Sequence, residues 1–286
     1  MPSSSSSSAQ QARQHLADQL REIRLDAGLS GKALAETAGW HGNSKISKIE
    51  HGRRPASADD IREWCRACGV SPERTEELLA EQRAAAGMWM SYRRLNRAGL
   101  RKAQESVRPL FERVELVRSY QGKIVPGLLQ TAAYTTVILE SARSRQGVRK
   151  DDLAEAVTER MDRQRVLHQA GHRFVFVLEE AVLRYRVCEA ETLRGQLDHL
   201  NQAMRLPAVS IGVIPLATDR RRVLAREPFA MFDTELVSVE LVSGVLSVTQ
   251  PAEVAMYLRD FQELAGIAVY GAAARALIDD ALEALE

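Results

Sequence analysis

The chain has 286 residues, of which 27% are charged, and its formal net charge is only +1. This charge is unevenly distributed: residues 1–108 carry 18 basic and 13 acidic side chains, whereas the remainder carries 21 basic and 25 acidic ones. No run of about 18 apolar residues is present, which excludes a membrane-spanning helix. Three cysteines without a secretory signal predict a location in the reducing cytoplasm.

The front of the chain predicts an all-α domain of five helices at residues 10–86. Ahead of it, six consecutive serines cannot bury apolar surface, and we expect residues 1–9 to be a disordered tail. Leu16, Leu20 and Ile23 recur at spacings of four and three, which is typical of the buried stripe of a first helix. The five helices are expected at residues 10–27, 32–38, 44–51, 58–68 and 72–90.

The second and third of these helices are joined by a tight glycine turn. Ser30 is a good N-cap for the second helix, and Gly39 ends it. In the third helix Ile46 and Ile49 lie three apart on one face, which leaves the other faces polar. Such a helix fits the DNA major groove, where Asn, Ser and Lys bond base edges and nearby cations neutralise phosphates. The residues expected to contact DNA are Asn43, Ser44, Lys45, Ser47, Lys48, Arg53 and Arg54.

An arbitrary cationic helix face is more often only solvated than bound to a ligand. Here the net positive charge of residues 1–108 favours a nucleic-acid partner instead. The pattern therefore predicts a helix-turn-helix unit that binds double-stranded DNA and is nucleoid-associated when bound. The expected core of this unit consists of Leu20, Leu34, Ala35, Ile46 and Ile49.

A set of motif residues in this segment resembles a known family. The matching residues are Ser30, Leu34-Ala35, Gly39, Ile46 and Ile49-Glu50-x-Gly52. Over residues 12–70 they resemble the helix-turn-helix of Cro/C1-type (XRE) repressors, in a version common in actinobacterial regulators. In that family an arginine near the end of the first helix pairs with the glutamate that ends the recognition helix. The resemblance implies a structural pair between Arg24 and Glu50.

Two positions depart from the resemblance. Gly31 stands where the family often has a glutamine that contacts phosphate, so that contact is missing here. The turn from Gly39 to Asn43 is one residue longer than in the phage repressors, which re-aims the start of the recognition helix. Asn43 lies at the start of the recognition helix, so its predicted base contact depends on the direction of that start. The predicted contacts of Lys45 and Lys48 depend on it less.

Two pairs of potential metal-ligating residues, one of cysteines and one of histidines, occur in the sequence, but neither pair predicts a metal site. Cys65 and Cys68 have the C-x-x-C spacing, yet they lie on a predicted helix without a second pair of ligands. His168 and His172 are four apart, but Gly171 intervenes where a helix would end. We therefore expect neither a bound metal nor redox chemistry.

The rear half also lacks the signature of an enzyme. Glu179 and Glu180 are adjacent and, on a strand, would point to opposite faces, which argues against a general acid and base pair. No nucleophile elbow, phosphate loop or dinucleotide fingerprint is present. We therefore expect no catalytic residues and no cofactor.

Residues 87–104 predict a helical connector of mixed character. Trp89, Met90, Tyr92 and Leu95 supply apolar surface, and five cations are spread over several faces. A second basic stripe against DNA is one interpretation. We favour packing of the aromatic residues on the following domain, with the cations solvated. The cations are Arg93, Arg94, Arg97, Arg101 and Lys102.

Residues 105–286 predict a mixed α+β domain of ordinary size. Runs rich in β-branched residues predict strands, and helical periodicity predicts helices between and after them. Ser243-Gly244 between two alternating runs predicts a hairpin turn, and the irregular order favours a mainly antiparallel sheet. Strands are expected at 114–120, 174–178, 209–215, 229–232, 237–242 and 245–249, and helices at 131–144, 151–170, 189–205 and from 251 to nearly the end.

This rear domain carries a second resemblance. The segments that carry it are Val125 to Thr131 (VPGLLQT), Arg160-x-x-Arg163-Gln164, Glu179-Glu180-Ala181-x-Leu183-Arg184, Leu206 to Pro215, and Pro228-Phe229. They are similar to the large actinobacterial regulators of the WhiJ-like type. In that family the rear domain has no assigned chemistry, and members often neighbour a small acidic partner protein, in an arrangement likened to antitoxin systems. The resemblance implies a regulator with a protein or ligand input.

Taken together, the sequence predicts a cytoplasmic, sequence-specific transcriptional regulator that works as a homodimer on half-sites about 34 Å apart. One alternative is an antitoxin-like protein that sequesters a small acidic partner. The basic run of Arg220, Arg221 and Arg222 fits that alternative, although a solvated loop is its default interpretation. Another is control by a small-molecule effector bound in the rear domain.

Overall fold

The computed structural model describes residues 8–285, with the side chains of 13–82 and 88–285, and it divides the chain into two compact units. The N-terminal unit is Met1–Met90 and the C-terminal unit is Ser91–Glu286. Of the disordered tail expected at 1–9, residues 1–7 lie outside the described residues. Ser8 and Ala9 instead begin the first helix.

The N-terminal unit consists of the five predicted helices. Leu20, Leu34, Ile61 and Trp64 are fully buried between them, and the Trp64 indole Nε1 donates a hydrogen bond of 2.9 Å to the carbonyl oxygen of Leu20. This buried contact ties the fourth helix to the first. The helices are α1 (Ser8–Asp26), α2 (Gly31–Thr37), α3 (Ser44–Glu50), α4 (Ala58–Ala67) and α5 (Pro72–Gly87).

Helix α5 is shorter than the pattern predicts. Pro72 is its first residue, in the position that suits a missing amide hydrogen, but the helix ends at Gly87 rather than near Met90. A short strand, β1 (Trp89–Ser91), follows it across the boundary between the units. Glycine weakens a helix and tryptophan favours extended backbone, which accounts for the earlier end.

The C-terminal unit contains the six predicted strands. Their order is β7-β6-β5-β2-β3-β4. The β2–β3 and β3–β4 pairs are parallel and the other three pairs are antiparallel, so the sheet is mainly antiparallel, as predicted. The strands are β2 (Leu116–Gln121), β3 (Arg173–Glu179), β4 (Val209–Ile214), β5 (Phe229–Phe232), β6 (Leu236–Leu241) and β7 (Gly244–Val248).

Helices cover both faces of this sheet. On β3, Phe174 and Phe176 pack on one side with leucines of α12 and alanines and Ile278 of α14, whereas Val177 packs on the other side with Phe261 of α13. The helices of this unit are α6 (Tyr92–Leu95), α7 (Leu100–Ser106), α8 (Arg108–Arg113), α9 (Ala132–Gln146), α10 (Leu153–Arg163), α11 (Ala181–Arg184), α12 (Ala190–Ala203), α13 (Pro251–Gly266) and α14 (Gly271–Glu283).

The expected connector does not form one helix. Residues 91–104 belong to the C-terminal unit, where α6, a 3-10 turn at Asn96–Ala98 and most of α7 follow one another. Gly99, at φ +104°, separates the turn from α7, and an added Cβ there would lie 2.0 Å from Asp152 Oδ2. The close approach of Asp152, whose carboxylate accepts the backbone amide of Leu100 at 3.0 Å, requires this glycine.

Two predicted helices are interrupted. The helix expected at 151–170 ends at Arg163 and continues as a 3-10 turn, Gln164–His168. The helix expected from Pro251 onward breaks between Gly266 and Gly271. At this break Val269 pairs with Val213 of β4 through two backbone hydrogen bonds of 2.8 and 2.9 Å, which a residue within a continuous helix could not form.

Candidate nucleic-acid interface

One cap defines the start of α2, and two glycines shape the turn between α2 and α3. The Ser30 hydroxyl accepts a hydrogen bond of 3.1 Å from the backbone amide of Ala33, which satisfies an otherwise unpaired donor of α2. Gly39 and Gly42 both have left-handed backbone conformations, at φ +68° and +75°. The amide of Trp40 donates back to the carbonyl oxygen of Ala35 at 2.8 Å and closes the end of α2.

Helix α3 is held by its apolar side. Ile46 and Ile49 are each 1% exposed and lie in one apolar cluster with residues of α1, α2, α4 and α5. A helix of seven residues is too short to be stable alone, so this burial determines that α3 forms. The cluster contains all five residues predicted to form the core, which are Leu20, Leu34, Ala35, Ile46 and Ile49.

A buried ion pair holds the C-terminal end of α3 against α1. Arg24 Nε lies 2.6 Å from Glu50 Oε1, and its Nη2 donates to Glu50 Oε2 at 3.1 Å. The third hydrogen bond of the guanidinium goes to the carbonyl oxygen of Leu29 at 2.8 Å. The hydrogen bond to Glu50 raises the pKa of Arg24 above its ordinary value. Because both side chains are largely withdrawn from solvent, the pair is structural.

Lys45 is the predicted DNA ligand that the structure places differently. Its Nζ lies 2.5 Å from Asp60 Oδ1 of α4 and 3.9 Å from the centre of the Trp40 ring, and the side chain is 24% exposed. The ammonium group is therefore engaged within the unit rather than displayed with the other cations. The sequence pattern groups Lys45 with Lys48 because both lie off the apolar stripe, but it contains no information on which acidic group lies nearby.

Asp60 is a site residue that the sequence analysis did not single out. Its Oδ2 accepts the backbone amide of Ser57 at 3.1 Å, its own amide donates to the Ser57 hydroxyl, and Arg54 Nη2 lies 3.7 Å away. Burial by itself would raise the pKa of Asp60, but the hydrogen bonds from Lys45 and Ser57 outweigh it and lower that pKa. The Ser57-x-x-Asp60 capping box was the available sequence signal.

The remaining predicted residues form the exposed side of α3. Asn43 precedes the helix, is exposed and makes no side-chain cap hydrogen bond. After Gly52, at φ +64°, the backbone amide of Arg54 donates to the carbonyl oxygen of Lys48 at 3.0 Å and turns the chain back along α3. The exposed residues of this surface are Asn43, Ser44, Ser47, Lys48, His51, Arg53 and Arg54.

His51 belongs to this exposed surface and is not among the DNA-contacting residues predicted from the sequence. It lies four residues after Ser47 and three after Lys48, and it is therefore on the same helical face. Its Nδ1 lies 2.7 Å from the carbonyl oxygen of Ser47, which fixes the ring at the C-terminal end of α3. The helical spacing alone was enough to include it.

The carboxylates considered for catalysis have separate structural partners. Glu179 accepts a hydrogen bond of 2.6 Å from the Tyr120 hydroxyl and forms an ion pair with Arg220. Glu180 pairs with Arg184 and accepts the backbone amide of Leu216 at 2.8 Å. The two side chains thus contact different groups, although they are not adjacent strand residues, because β3 ends at Glu179 and Glu180 is the N-cap of α11.

The cysteines and histidines considered as metal ligands do not form a metal site among the described residues. Cys65 is buried, and burial also raises the pKa of Cys68 to about 11, so that thiol stays protonated at neutral pH. His168 is exposed, whereas His172 Nδ1 lies 2.7 Å from the carbonyl oxygen of Val114. No group of three or more His, Cys, Asp or Glu side chains among the described residues could hold a metal ion, and no helix among them is long and apolar enough to cross a membrane.

Comparison with known proteins matches two family models to the chain. A model described as a helix-turn-helix domain matches residues 15–78, and a model described as a domain of unknown function (DUF5753) matches residues 111–280. No curated protein matches the chain. The matched ranges correspond to the N-terminal unit and to most of the C-terminal one.

Two solved structures are similar to parts of the chain. The clp gene regulator ClgR from C. glutamicum is 32% identical, over 27% of this chain and 90% of its own, with a TM-score of 0.22. TrmBL2, an archaeal chromatin protein with a novel mode of DNA binding, is 10% identical, over 89% of this chain and 100% of its own, with a TM-score of 0.31. Both TM-scores are too low to establish a shared overall fold.

The helix-turn-helix domain, with exposed polar side chains and Lys48 on α3 and two exposed arginines after it, defines the class: this is a DNA-binding regulator. The C-terminal unit then identifies the family to which the protein belongs within that class. Because the DUF5753 model matches more than half of its residues, the chain belongs to the family of proteins that carry this domain.

Proposed function

We propose that this protein is a sequence-specific transcriptional regulator of the Cro/C1 (XRE) type, and that α3 is its recognition helix. The observation that carries the proposal is the division of α3 into two sides. Ile46 and Ile49 are buried on one side, while Ser44, Ser47 and Lys48 are exposed on the other. The WhiJ-like and actinobacterial resemblance of the rear segments supports the same class. No catalytic role is proposed.

The exposed side chains divide into two functional groups. Asn43, Ser44, Ser47 and Lys48 lie on or just before the helix and are proposed to bond base edges in the major groove. Arg53 and Arg54 follow the helix and are proposed to contact phosphates, where His51 adds a polar contact. Lys45 is not proposed to contact DNA, because its ammonium group is bound by Asp60 and lies over the Trp40 ring. Its proposed role is to position α3 against α4.

Substitution of single cations tests this division. Genome-wide crosslinking first identifies an operator, and fluorescence anisotropy then measures affinity for it and for random DNA over a salt series. Lys48→Ala should weaken operator binding by about 1–3 kcal/mol with little change for random DNA. Arg53→Ala should weaken both DNAs alike and reduce the magnitude of the salt slope by about 0.9.

Arg275→Ala is the matched control, because Arg275 is an exposed arginine of the C-terminal unit. It changes the net charge equally and should leave both affinities unchanged. If Lys48→Ala and Arg53→Ala bind operator and random DNA as the native protein does, the assignment of α3 to the groove is wrong.

A second function is supported by the loop between β4 and β5. Leu216 and Leu224 are 64% and 62% exposed, and Arg221 and Arg222 lie exposed between them. Arg220 is paired with Glu179, and Arg221 is paired with Asp219. An apolar and basic loop fits a small acidic partner protein, as in an antitoxin-like system.

Affinity purification from the native host tests this second function. A stoichiometric small acidic protein should copurify with the native chain and be lost with Leu216→Ser combined with Leu224→Ser. Val242→Ser, at a residue 98% exposed on the hairpin between β6 and β7, is the control and should retain it. Absence of any stoichiometric partner, or equal recovery with all variants, excludes this role for the loop.

A further inference from the structure

In the described part of the C-terminal unit, two arginines lie side by side without a hydrogen-bonded carboxylate partner. Arg160 and Arg163 lie one turn apart at the end of α10, and Arg163 is 7% exposed. All their hydrogen bonds within the described residues go to neutral oxygen atoms. A withdrawn cation without an anion is unfavourable, and two adjacent ones are more so because they repel each other.

A single glutamine side chain serves both guanidinium groups. Gln104 Oε1 accepts Arg160 Nε at 3.1 Å and Arg163 Nη2 at 3.2 Å, and the carbonyl oxygen of Gln104 accepts Arg163 Nη1 at 3.1 Å. Arg160 Nη1 donates to Gln130 Oε1 at 2.8 Å. Arg163 Nε is buried without a hydrogen-bond partner among the described residues. These amide oxygens orient the two cations but do not neutralise them.

The neighbouring carboxylates offset these two positive charges only in part, because they act on them through space and not through hydrogen bonds. Glu159 is committed to Arg108, whose Nη2 lies 2.6 Å from its Oε1, and Glu240 acts on Arg160 only through space. Withdrawal from water lowers the pKa of Arg160 to about 10. It lowers that of Arg163 to about 9, and the charge of Arg160 contributes to this second shift.

The loop at residues 125–131 determines the position of Arg160, because it fixes Gln130 and brings Gly127 close to the arginine. Gln164 Nε2 donates to the carbonyl oxygen of Gln130 at 2.6 Å, and Gln130 Nε2 donates to that of Val125 at 2.7 Å. The backbone at Gly127 lies directly against Arg160, because an added Cβ there would be 3.7 Å from its Cδ, Nε and Cζ. These residues belong to the 125–131 and 160–164 motifs, which the DNA-reading surface does not use.

We propose that Arg160 and Arg163 form a binding site for a small oxyanion, carried by a molecule with a carboxylate or phosphate group. Arg160 is partly exposed and is the residue that contacts the anion, since planar guanidinium groups bind both kinds of oxyanion through paired hydrogen bonds. Arg163 supplies the second charge and orients Gln104. This site stands apart from the proposed DNA reading, because all of its residues lie in the C-terminal unit.

Calorimetric titration of the full-length protein, without DNA, tests the site. Inorganic phosphate and malonate are titrated separately into protein in a chloride buffer of matched ionic strength. We expect saturable binding of at least one of them, and Arg160→Gln should raise its Kd at least about tenfold. Arg165→Gln, at a neighbouring arginine that is 79% exposed and paired with Asp162, should leave the Kd unchanged.

The exposed cations after α3 also attract phosphate, so the double variant Arg53→Ala, Arg54→Ala is titrated in parallel and must retain the binding. Saturation by phosphate alone or by malonate alone assigns the group; saturation by both assigns a general oxyanion site. If Arg160→Gln does not fold, Arg160→Lys, which keeps the charge and loses the planar fork, must show the weakening. No saturable binding, or equal binding by the Arg160 variant, overturns the proposal.

Discussion

At the scale of single residues, Arg24 and Glu50 illustrate how a buried charge depends on its partner. Each residue is only 9% exposed, and two hydrogen bonds join them. Glu50→Ala should lower the free energy of unfolding of the N-terminal unit by about 3–5 kcal/mol, because it leaves the Arg24 charge buried and unpaired. Urea unfolding followed by tryptophan fluorescence measures this, since all three tryptophans lie in that unit.

The exposed pair between Lys32 and Glu36 is the control for this prediction. Their side chains are 82% and 69% exposed and lie 4.0 Å apart, one turn apart on α2. Glu36→Ala should change the unfolding free energy by less than about 0.5 kcal/mol. A similar effect of both substitutions would show that burial of the Arg24–Glu50 pair does not matter.

Asp60 predicts a pH dependence of the same unit. Its folded-state pKa is lower than its ordinary value, so the unfolded chain binds the proton more readily than the folded one. The contribution of Asp60 to stability is therefore present above the ordinary pKa, near 3.8, and is lost as the pH falls through the folded-state value. Asp60→Asn should flatten the stability profile at acidic pH, measured by fluorescence-detected urea unfolding.

Asp59→Asn is the matched control, because the neighbouring Asp59 side chain is 91% exposed and forms an exposed pair with Arg62. It should leave the acid limb of the profile as it is in the native protein. A native profile that is flat below about pH 5, or an unchanged limb in Asp60→Asn, would contradict the role assigned to Asp60.

At the scale of elements, α2 carries a glycine at its start and another just after its end, with different requirements. Gly39 has φ +68°, where an added Cβ meets no described atom within 4 Å, so only the backbone conformation opposes a side chain. Gly39→Ala should destabilise the N-terminal unit by about 1–2 kcal/mol. In Gly31→Ala the new Cβ would lie 3.8 Å from the Asn43 Cβ, an ordinary contact.

Gly31→Ala should consequently leave stability unchanged or raise it by up to about 1 kcal/mol, since alanine restricts the unfolded chain. Thermal unfolding of the two variants side by side provides the comparison. Equal destabilisation by both substitutions would mean that loss of glycine, rather than the left-handed conformation at Gly39, is responsible.

Element boundaries were predictable where the signal is local. Ser30, Gly39 and Pro72 mark ends of helices through capping and backbone conformation, and these ends occur where the pattern places them. The single helix predicted from Pro251 onward is interrupted instead by the pairing of Val269 with Val213. That partner lies 56 positions earlier in the chain, and helical periodicity contains no information about it.

At the scale of the whole molecule, the proposed homodimer makes a geometric prediction. Two recognition helices related by two-fold symmetry should read half-sites of an inverted repeat, about 34 Å or one DNA turn apart. Light scattering should give a dimer mass on a full site, and insertion of about five base pairs between the half-sites should abolish tight binding. A monomer on the full site, or indifference to the insertion, would contradict the dimer.

The sequence by itself determined the class of each unit and the elements whose signals are local. Ile46 and Ile49 defined the buried side of α3, and alternating β-branched runs located the strands of the C-terminal sheet. The exposed positions Ser47 and Lys48 followed from the same periodicity. These features depend on residues within one or two turns of each other, and patterning along the chain records them directly.

Only the tertiary structure decided which charges are engaged and which are displayed. Lys45 and Lys48 look alike in the sequence, but Asp60, on another helix, binds the first. Arg160 and Arg163 look like ordinary helix cations, but folding brings Gln104 to them without bringing a carboxylate. The physical reason is that an ionic group responds to its nearest partners in space, and the chain path that brings distant residues together is set by the packing of the whole core.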